Sequence, residues 1–215
     1  MVYDNTDVSS NLRDIQRGAE LPFGWEMPDI DIPVGLTWSW FAGGHLYRHL
    51  GRIDDYFGAG SWQEAFEYLA IDDTPVSQIQ YWGHGSPGRA FLDKEFISKD
   101  VCNGRYGQLL ERIKRRLTKD AVIWFRTCAT FGGRPGVEFA QGLADDMECR
   151  IAGHTFNIGP IQAGLHTLGP GEGPIWDESE GIDLGMARKP RKMKSSKWSS
   201  PNRVTFLHSQ IPDGW

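Results

Sequence analysis

Residues 121–133, AVIWFRTCATFGG, open on a five-residue apolar run, Ala121–Phe125, that leads directly into Arg126-Thr127-Cys128 and a Gly132-Gly133 break. A short, continuous apolar segment between turn signals is the pattern of a central strand covered on both faces of a parallel sheet. Upstream, Val76–Trp82 (VSQIQYW) alternates like a second strand and runs into Gly83-His84-Gly85-Ser86-Pro87-Gly88. Residues 89–103 leave room for a small hairpin. Residues 107–118 (GQLLERIKRRLT) place Leu109, Leu110, Ile113 and Leu117 on one helical face. Beyond the glycines, Val137, Ala140, Leu143, Ala144 and Met147 recur at helical spacing over 136–147, and Arg150–Gly153 (RIAG) reads as a further strand. Strands alternating with helices in this rhythm predict an α/β fold with a mainly parallel central sheet and right-handed crossovers.

Working outward, residues 34–42 (VGLTWSWFA) read as a first strand stopped by Gly43-Gly44. Ser61 and Glu64 form a capping box for the helix SWQEAFEYLA. Residues 1–32, rich in Asp and Pro, read as an N-terminal arm that packs through Phe23 and Trp25, which leaves 33–215 as one domain. After a Gly-rich segment (159–173), residues 188–197 (RKPRKMKSSK) carry six basic groups and no acid, inside a loop of about 186–200. Such a run is most simply a solvated loop; an acidic partner or a processing cleavage are its further possible uses. Residues 203–208 (RVTFLH) read as a last strand.

Composition narrows the function classes. In a chain of 215 residues, 40% are aliphatic, aromatic or cysteine, enough for one sizeable core, which nine tryptophans help to fill. A net charge of −5 argues against nucleic-acid binding. Three widely spaced cysteines do not make a disulfide framework, and no apolar run is long enough to span a membrane or act as a signal peptide. Cytoplasmic residence is therefore expected. No metal is expected, since His45 and His49 lack the glutamate of an H-E-x-x-H site. No cofactor is expected either: Gly83–Gly88 satisfies G-x-G-x-x-G, but Pro87 and the mixed residues after it do not open the required helix.

In a parallel sheet, ligands bind beyond the carboxyl ends of the strands. His84 and Cys128 stand at two such ends, with one helix between them, so their strands are expected to be neighbours. A thiol near its ordinary pKa is only a few per cent thiolate at neutral pH, and an adjacent imidazole supplies what it lacks. The backbone N–H groups of Gly85 and Cys128 are candidate oxyanion donors.

A hydrophobic strand ending in His-Gly, followed about 40–50 residues later by one ending in Cys, resembles the clan CD cysteine peptidases, which include caspases, metacaspases, legumains, gingipains and clostripain. QYWGHGSPG (80–88) is similar to their histidine motif and IWFRTCATFGG (123–133) to their cysteine motif. The chain looks closer still to uncharacterised bacterial caspase-like domains with His-Gly-x-x-Gly. The resemblance covers about residues 76–154. It implies a caspase-like three-layer sandwich, His84 as general base and acid, Cys128 as nucleophile, Gly85 as an oxyanion donor, and a peptide or protein substrate. Thr127 departs from the alanine that most of these peptidases carry before the cysteine.

Two other readings stand beside it. One is a catalytically inactive caspase-like domain that binds a protein partner. The other is an α/β-hydrolase-like esterase with His208 as base. In that case a G-x-nucleophile-x-G elbow is required, and Arg126 and Thr130 occupy its glycine positions.

Overall fold

Alternate residues of β5 (Val76–Trp82) sort to opposite faces. Ile79 and Tyr81 join one buried cluster, whereas Trp82 joins another with Tyr3 and Tyr47. Strand β9 (Leu117–Arg126) repeats the division: Ile123 and Phe125 enter the first cluster, and Trp124 packs with Ala152 and Leu165. A computed structural model, which describes residues 1–7, 10–11, 33–34 and 36–212, sets these strands side by side in a mixed α/β fold.

With β1 (Val2–Asp4), β4 (Phe57–Ala59), β10 (Arg150–His154) and β12 (Leu165–Leu168), they form a six-stranded sheet in the order β12-β10-β9-β5-β1-β4. Every neighbouring pair is parallel except β12, which returns antiparallel along β10. Helices α2 (Trp62–Leu69), α3 (Gly107–Arg116) and α4 (Gly133–Met147) cover one face through Phe66, Leu110, Ile113, Phe139 and Leu143. Burying one such side chain stabilises the fold by roughly 1.5–3 kcal/mol. Helix α1 (Leu36–His49) lies against the other face, where the Tyr47 ring meets Trp82 edge-on at 5.4 Å. Among the described residues no helix is long and apolar enough to cross a membrane.

Short strands decorate this frame. They are β2 (Ser10–Asn11) with β3 (Pro33–Val34); β6 (His84–Ser86), β7 (Arg89–Leu92) and β8 (Glu95–Ile97) as one three-stranded sheet; β11 (Ile161–Gln162) with β15 (Val204–Thr205); and the hairpin β13 (Ile182–Met186) with β14 (Lys189–Met193). The expected helix cap is present, with Ser61 Oγ accepting from the Glu64 N–H at 3.2 Å. The Glu64 carboxylate reaches back one residue further than the box motif requires, to the Gly60 N–H at 2.8 Å.

Three expectations need correction. Residues 36–42 are helical, not a strand: α1 buries Thr37, Gly43, Gly44 and Tyr47 at helical spacing and exposes Leu36, Trp38 and Leu46. Gly43 and Gly44 stop nothing; a Cβ there would lie 2.9 Å from the Trp82 ring and 2.8 Å from Tyr56, so they mark close approach of aromatic neighbours. The chain also enters the sheet far earlier, because Val2–Asp4 sits between β4 and β5 instead of in a lead-in arm. Finally, residues 189–193 of the basic run are a hairpin strand, not loop, and in 203–208 only Val204–Thr205 is extended. Phe23 and Trp25 lie outside the described residues.

Arg126 ties the C-terminal segment to the sheet. Its guanidinium is buried between the Trp82 and Trp124 rings, 4.5 and 4.4 Å from their centroids. It donates to Gln162 Oε1 (3.0 and 2.7 Å), the Tyr47 hydroxyl (2.9 Å) and the carbonyls of Phe206 (3.2 Å) and His208 (2.7 Å). Burial lowers its pKa, and no carboxylate is among these partners.

His154 is fully buried beside it. Its Nδ1 lies 3.1 Å from the Ala163 carbonyl, which can only accept, so Nδ1 carries the proton and Nε2 accepts from Trp124 Nε1 at 3.2 Å. Burial, with the nearby Arg126 and His166 charges, pushes its pKa down to about 3. The unfolded chain therefore takes up a proton at this residue below about pH 6.5 that the folded chain refuses. Stability is expected to fall by about 1 kcal/mol per pH unit from this source between pH 6 and 4. Urea unfolding of His154→Gln across that range should show a shallower decline than wild type.

Candidate active site

The register of the central sheet sets the site. Trp82 of β5 pairs with Arg126 of β9, so the residues just past each strand, Gly83-His84-Gly85 and Thr127-Cys128, emerge together at one carboxyl edge. Contact between the two loops is close. A Cβ on Gly85 would stand 2.5 Å from the Cys128 carbonyl oxygen, 2.5 Å from Thr130 Oγ1 and 2.8 Å from Thr127 Cβ, so only glycine fits at this point. The Gly88 N–H donates to the Thr130 carbonyl at 3.0 Å and fastens the loops again.

Thr127, the departure noted above, is wholly buried and hydrogen-bonds through Oγ1 to Thr130 Oγ1, which explains a hydroxyl at that position. Beyond Cys128, Ala129 takes a left-handed conformation (φ 49°), a strained choice for a residue with a Cβ. It is held there by Ala129 N–H to the Phe156 carbonyl (2.9 Å) and Phe131 N–H to the His154 carbonyl (3.0 Å). The turn that carries the cysteine is thus bolted to the end of β10.

Cys128 is half-buried, and its thiol donates to the Ile158 carbonyl at 3.7 Å. Burial raises its pKa, so the resting group is a neutral thiol. Burial drives Cys102 and Cys149 to about 12, Cys102 with help from the Asp146 carboxylate, so neither is a nucleophile at neutral pH.

His84 remains accessible, with its ring edge-on to Trp40 at 5.5 Å. Its Nε2 lies 3.0 Å from the carboxylate of Asp7. A carboxylate there selects the tautomer with hydrogen on Nε2 and leaves Nδ1 as the basic nitrogen. Asp7 is the residue that the sequence patterns did not single out. It reaches the site because β1 pairs with β5 and because Asp4 Oδ1 accepts from the Thr6 N–H (2.8 Å) and hydroxyl (2.6 Å), turning the chain over the sheet edge. An acid a few residues past a strand carries no sequence signal of its own.

Gly85 lies in β6, paired with Ala90 of β7. Three other histidines are engaged elsewhere: His45 packs on Phe41 at 4.5 Å, His166 pairs with Glu180 at 2.9 Å, and His208 accepts from the Thr205 N–H at 3.1 Å. Among the described residues no group of three or more His, Cys, Asp or Glu side chains could hold a metal ion.

Beside these loops lies an open cleft of about 660 Å³ whose lining includes Gly85 but neither His84 nor Cys128. One wall is Gly85–Arg89 and the other is Asn157 with Arg188–Met193 of the β13–β14 hairpin.

No curated protein and no solved structure matches the chain. The family model described as Domain of unknown function (DUF4347) matches residues 61–169, from the cap of α2 to the end of β12, and so takes in both loops of the site and about half the sequence. By that match the chain belongs to the DUF4347 family.

Proposed function

We propose that this protein is a cysteine-dependent hydrolase of the caspase-like group, with its sheet and flanking helices arranged as a caspase-like sandwich, and that it cleaves peptide bonds through an acyl-enzyme on Cys128. The observation that carries this reading is the meeting of the histidine and cysteine loops at the carboxyl ends of two adjacent parallel strands, close enough to exclude any side chain at position 85. Nδ1 of His84 takes the thiol proton as the sulfur attacks the substrate carbonyl carbon. The N–H groups of Gly85 and Cys128 donate to the oxygen as it gains charge. The proton then passes to the leaving amine, and water, deprotonated by the same imidazole, releases the acyl group and restores the thiol. Asp7 orients the ring throughout.

Because burial keeps the resting thiol neutral, proton transfer accompanies attack instead of preceding it. The same burial favours a second reading, a catalytically inactive caspase-like domain that binds a protein partner.

The test is digestion of a proteome-derived peptide library, followed by mass spectrometry of new termini. Wild type is expected to generate termini that are missing with Cys128→Ala. Identical termini with both proteins would remove the hydrolase reading and leave the binding module.

A further inference from the structure

We propose that the cleft beside the candidate dyad is a substrate channel that selects an acidic stretch of polypeptide; this rests on the hydrolase reading above and names its substrate class. The chain as a whole is acidic, with a formal net charge of −5. Its cleft is the reverse. Arg89, Lys99, Arg188, Lys189, Arg191 and Lys192 line it, against two carboxylates, Asp100 and Glu138.

Local pairing does not cancel that excess. Glu138 is held by Lys99 at 3.0 Å and by Arg134 at 3.2 Å, and Lys192 is held by Asp183 at 2.9 Å. Arg89 rests on the Phe96 ring at 4.5 Å, a contact that leaves its charge uncompensated. Arg188, Lys189 and Arg191 have no carboxylate partner among the described residues. Positive charge concentrated in a concave site within a negative molecule raises the local concentration of anionic segments and steers them in.

The basic wall is fixed and is tied to the segment that holds the thiol. At the turn of the hairpin, the Ala187 carbonyl accepts from the Arg134 N–H at 2.8 Å, at the start of α4. At its base, Asn157 donates its N–H to the Lys194 carbonyl (3.0 Å) and its Nδ2 to the Met193 carbonyl (3.2 Å), and accepts from the Ser196 N–H (2.8 Å). The next residue, Ile158, holds the Cys128 thiol. The other wall follows directly from His84 and Gly85. The cleft is thus lined by the chain neighbour of His84 on one side and by the chain neighbour of the residue that holds the Cys128 thiol on the other. Among the described residues the hairpin pairs with no third strand, which leaves an edge along which an extended segment can add by backbone hydrogen bonds. A cleft of about 660 Å³ is ample for several side chains.

The experiment compares wild type with Arg188→Glu/Arg191→Glu, both surface positions outside the catalytic loops. In the peptide-library digest, wild-type cleavage sites are expected to be enriched in Asp and Glu near the scissile bond, and the double variant should lose that enrichment, with cleavage of acidic peptides down at least 10-fold. Alkylation of Cys128 by neutral iodoacetamide should be unchanged, which separates recognition from chemistry. Cleavage without acidic enrichment, or with the same preference in both proteins, overturns the proposal. If wild type cleaves nothing, the hydrolase reading fails, and the cleft is judged by fluorescence anisotropy of a Glu/Asp-rich peptide on Cys128→Ala. Salt-sensitive binding weakened at least 10-fold by the same two substitutions supports an acidic-polypeptide site. No binding, or equal binding of a charge-matched oligonucleotide, overturns it.

Discussion

Replacing His84 by alanine is expected to slow the alkylation of Cys128 at pH 7 by about 100-fold, the lower end of what a positioned general base contributes. The sign follows from burial. An unperturbed thiol titrates near 8.5, so at pH 7 about 3% is thiolate. Burial raises the Cys128 pKa further, which makes the unaided thiolate fraction smaller still. Without the imidazole, reactivity has to come from that fraction and should climb about tenfold per pH unit until the raised pKa is passed. With His84 present the profile should be flatter and higher near neutrality. Asp7→Asn should fall between, with roughly a tenfold loss, because the base remains while the carboxylate that selects its tautomer and holds the ring is gone. Cys102 and Cys149 should stay unlabelled in all three proteins, since burial carries them to about 12. Mass-spectrometric labelling kinetics at several pH values measures every one of these quantities. A His84→Ala protein that labels as fast as wild type would mean that the two loops meet without forming a catalytic pair.

The second large effect belongs to Arg126. Substitution by methionine keeps much of the volume between Trp82 and Trp124 but removes every hydrogen bond to Gln162, Tyr47, Phe206 and His208. Gln162 Oε1 would then be buried without a donor, and the one Tyr47 hydroxyl proton, left to serve the Phe206 and His208 carbonyls, can satisfy only one of them, each unmet acceptor costing roughly 1–3 kcal/mol. A total of about 3–5 kcal/mol is expected, with Tm lower by roughly 10 °C. The loss should be local first. The Phe206 N–H, bonded to the Pro160 carbonyl, should exchange much faster with solvent once the clamp is released. The guanidinium has no carboxylate partner, so its burial is compensated by neutral acceptors and two ring faces alone. If Arg126→Met melts with wild type, the desolvation cost of the buried charge has cancelled its bonds. Hydrogen exchange at Phe206 would still show whether the clamp acts locally.

The elements that were legible in the sequence share one property: a periodic apolar pattern. Val76–Trp82, Ala121–Phe125, the helix over 107–116 and the helix ending at Met147 all bury residues at the spacing their sequences show. Burial at a fixed period is a local signal, because the side chains that enter the core are the ones that repeat. The stretch 34–42 defeated that reading. Val34, Leu36, Trp38 and Trp40 alternate with Gly35, Thr37 and Ser39 as in a strand, yet Leu36 and Trp38 face solvent and Thr37 is buried once the helix forms. Val2–Asp4 failed for the opposite reason: three residues are too few to show a period, and their burial comes from the two strands on either side.

At the site, the local chain determined that an imidazole and a thiol would follow two strands, because turn glycines and apolar runs are written in consecutive residues. The pairing of Trp82 with Arg126, the approach of Asp7 to His84 and the basic hairpin that walls the cleft belong to the tertiary structure. Each joins segments far apart in the chain, and such contacts depend on sheet order and on which loops share an edge, which no local pattern encodes.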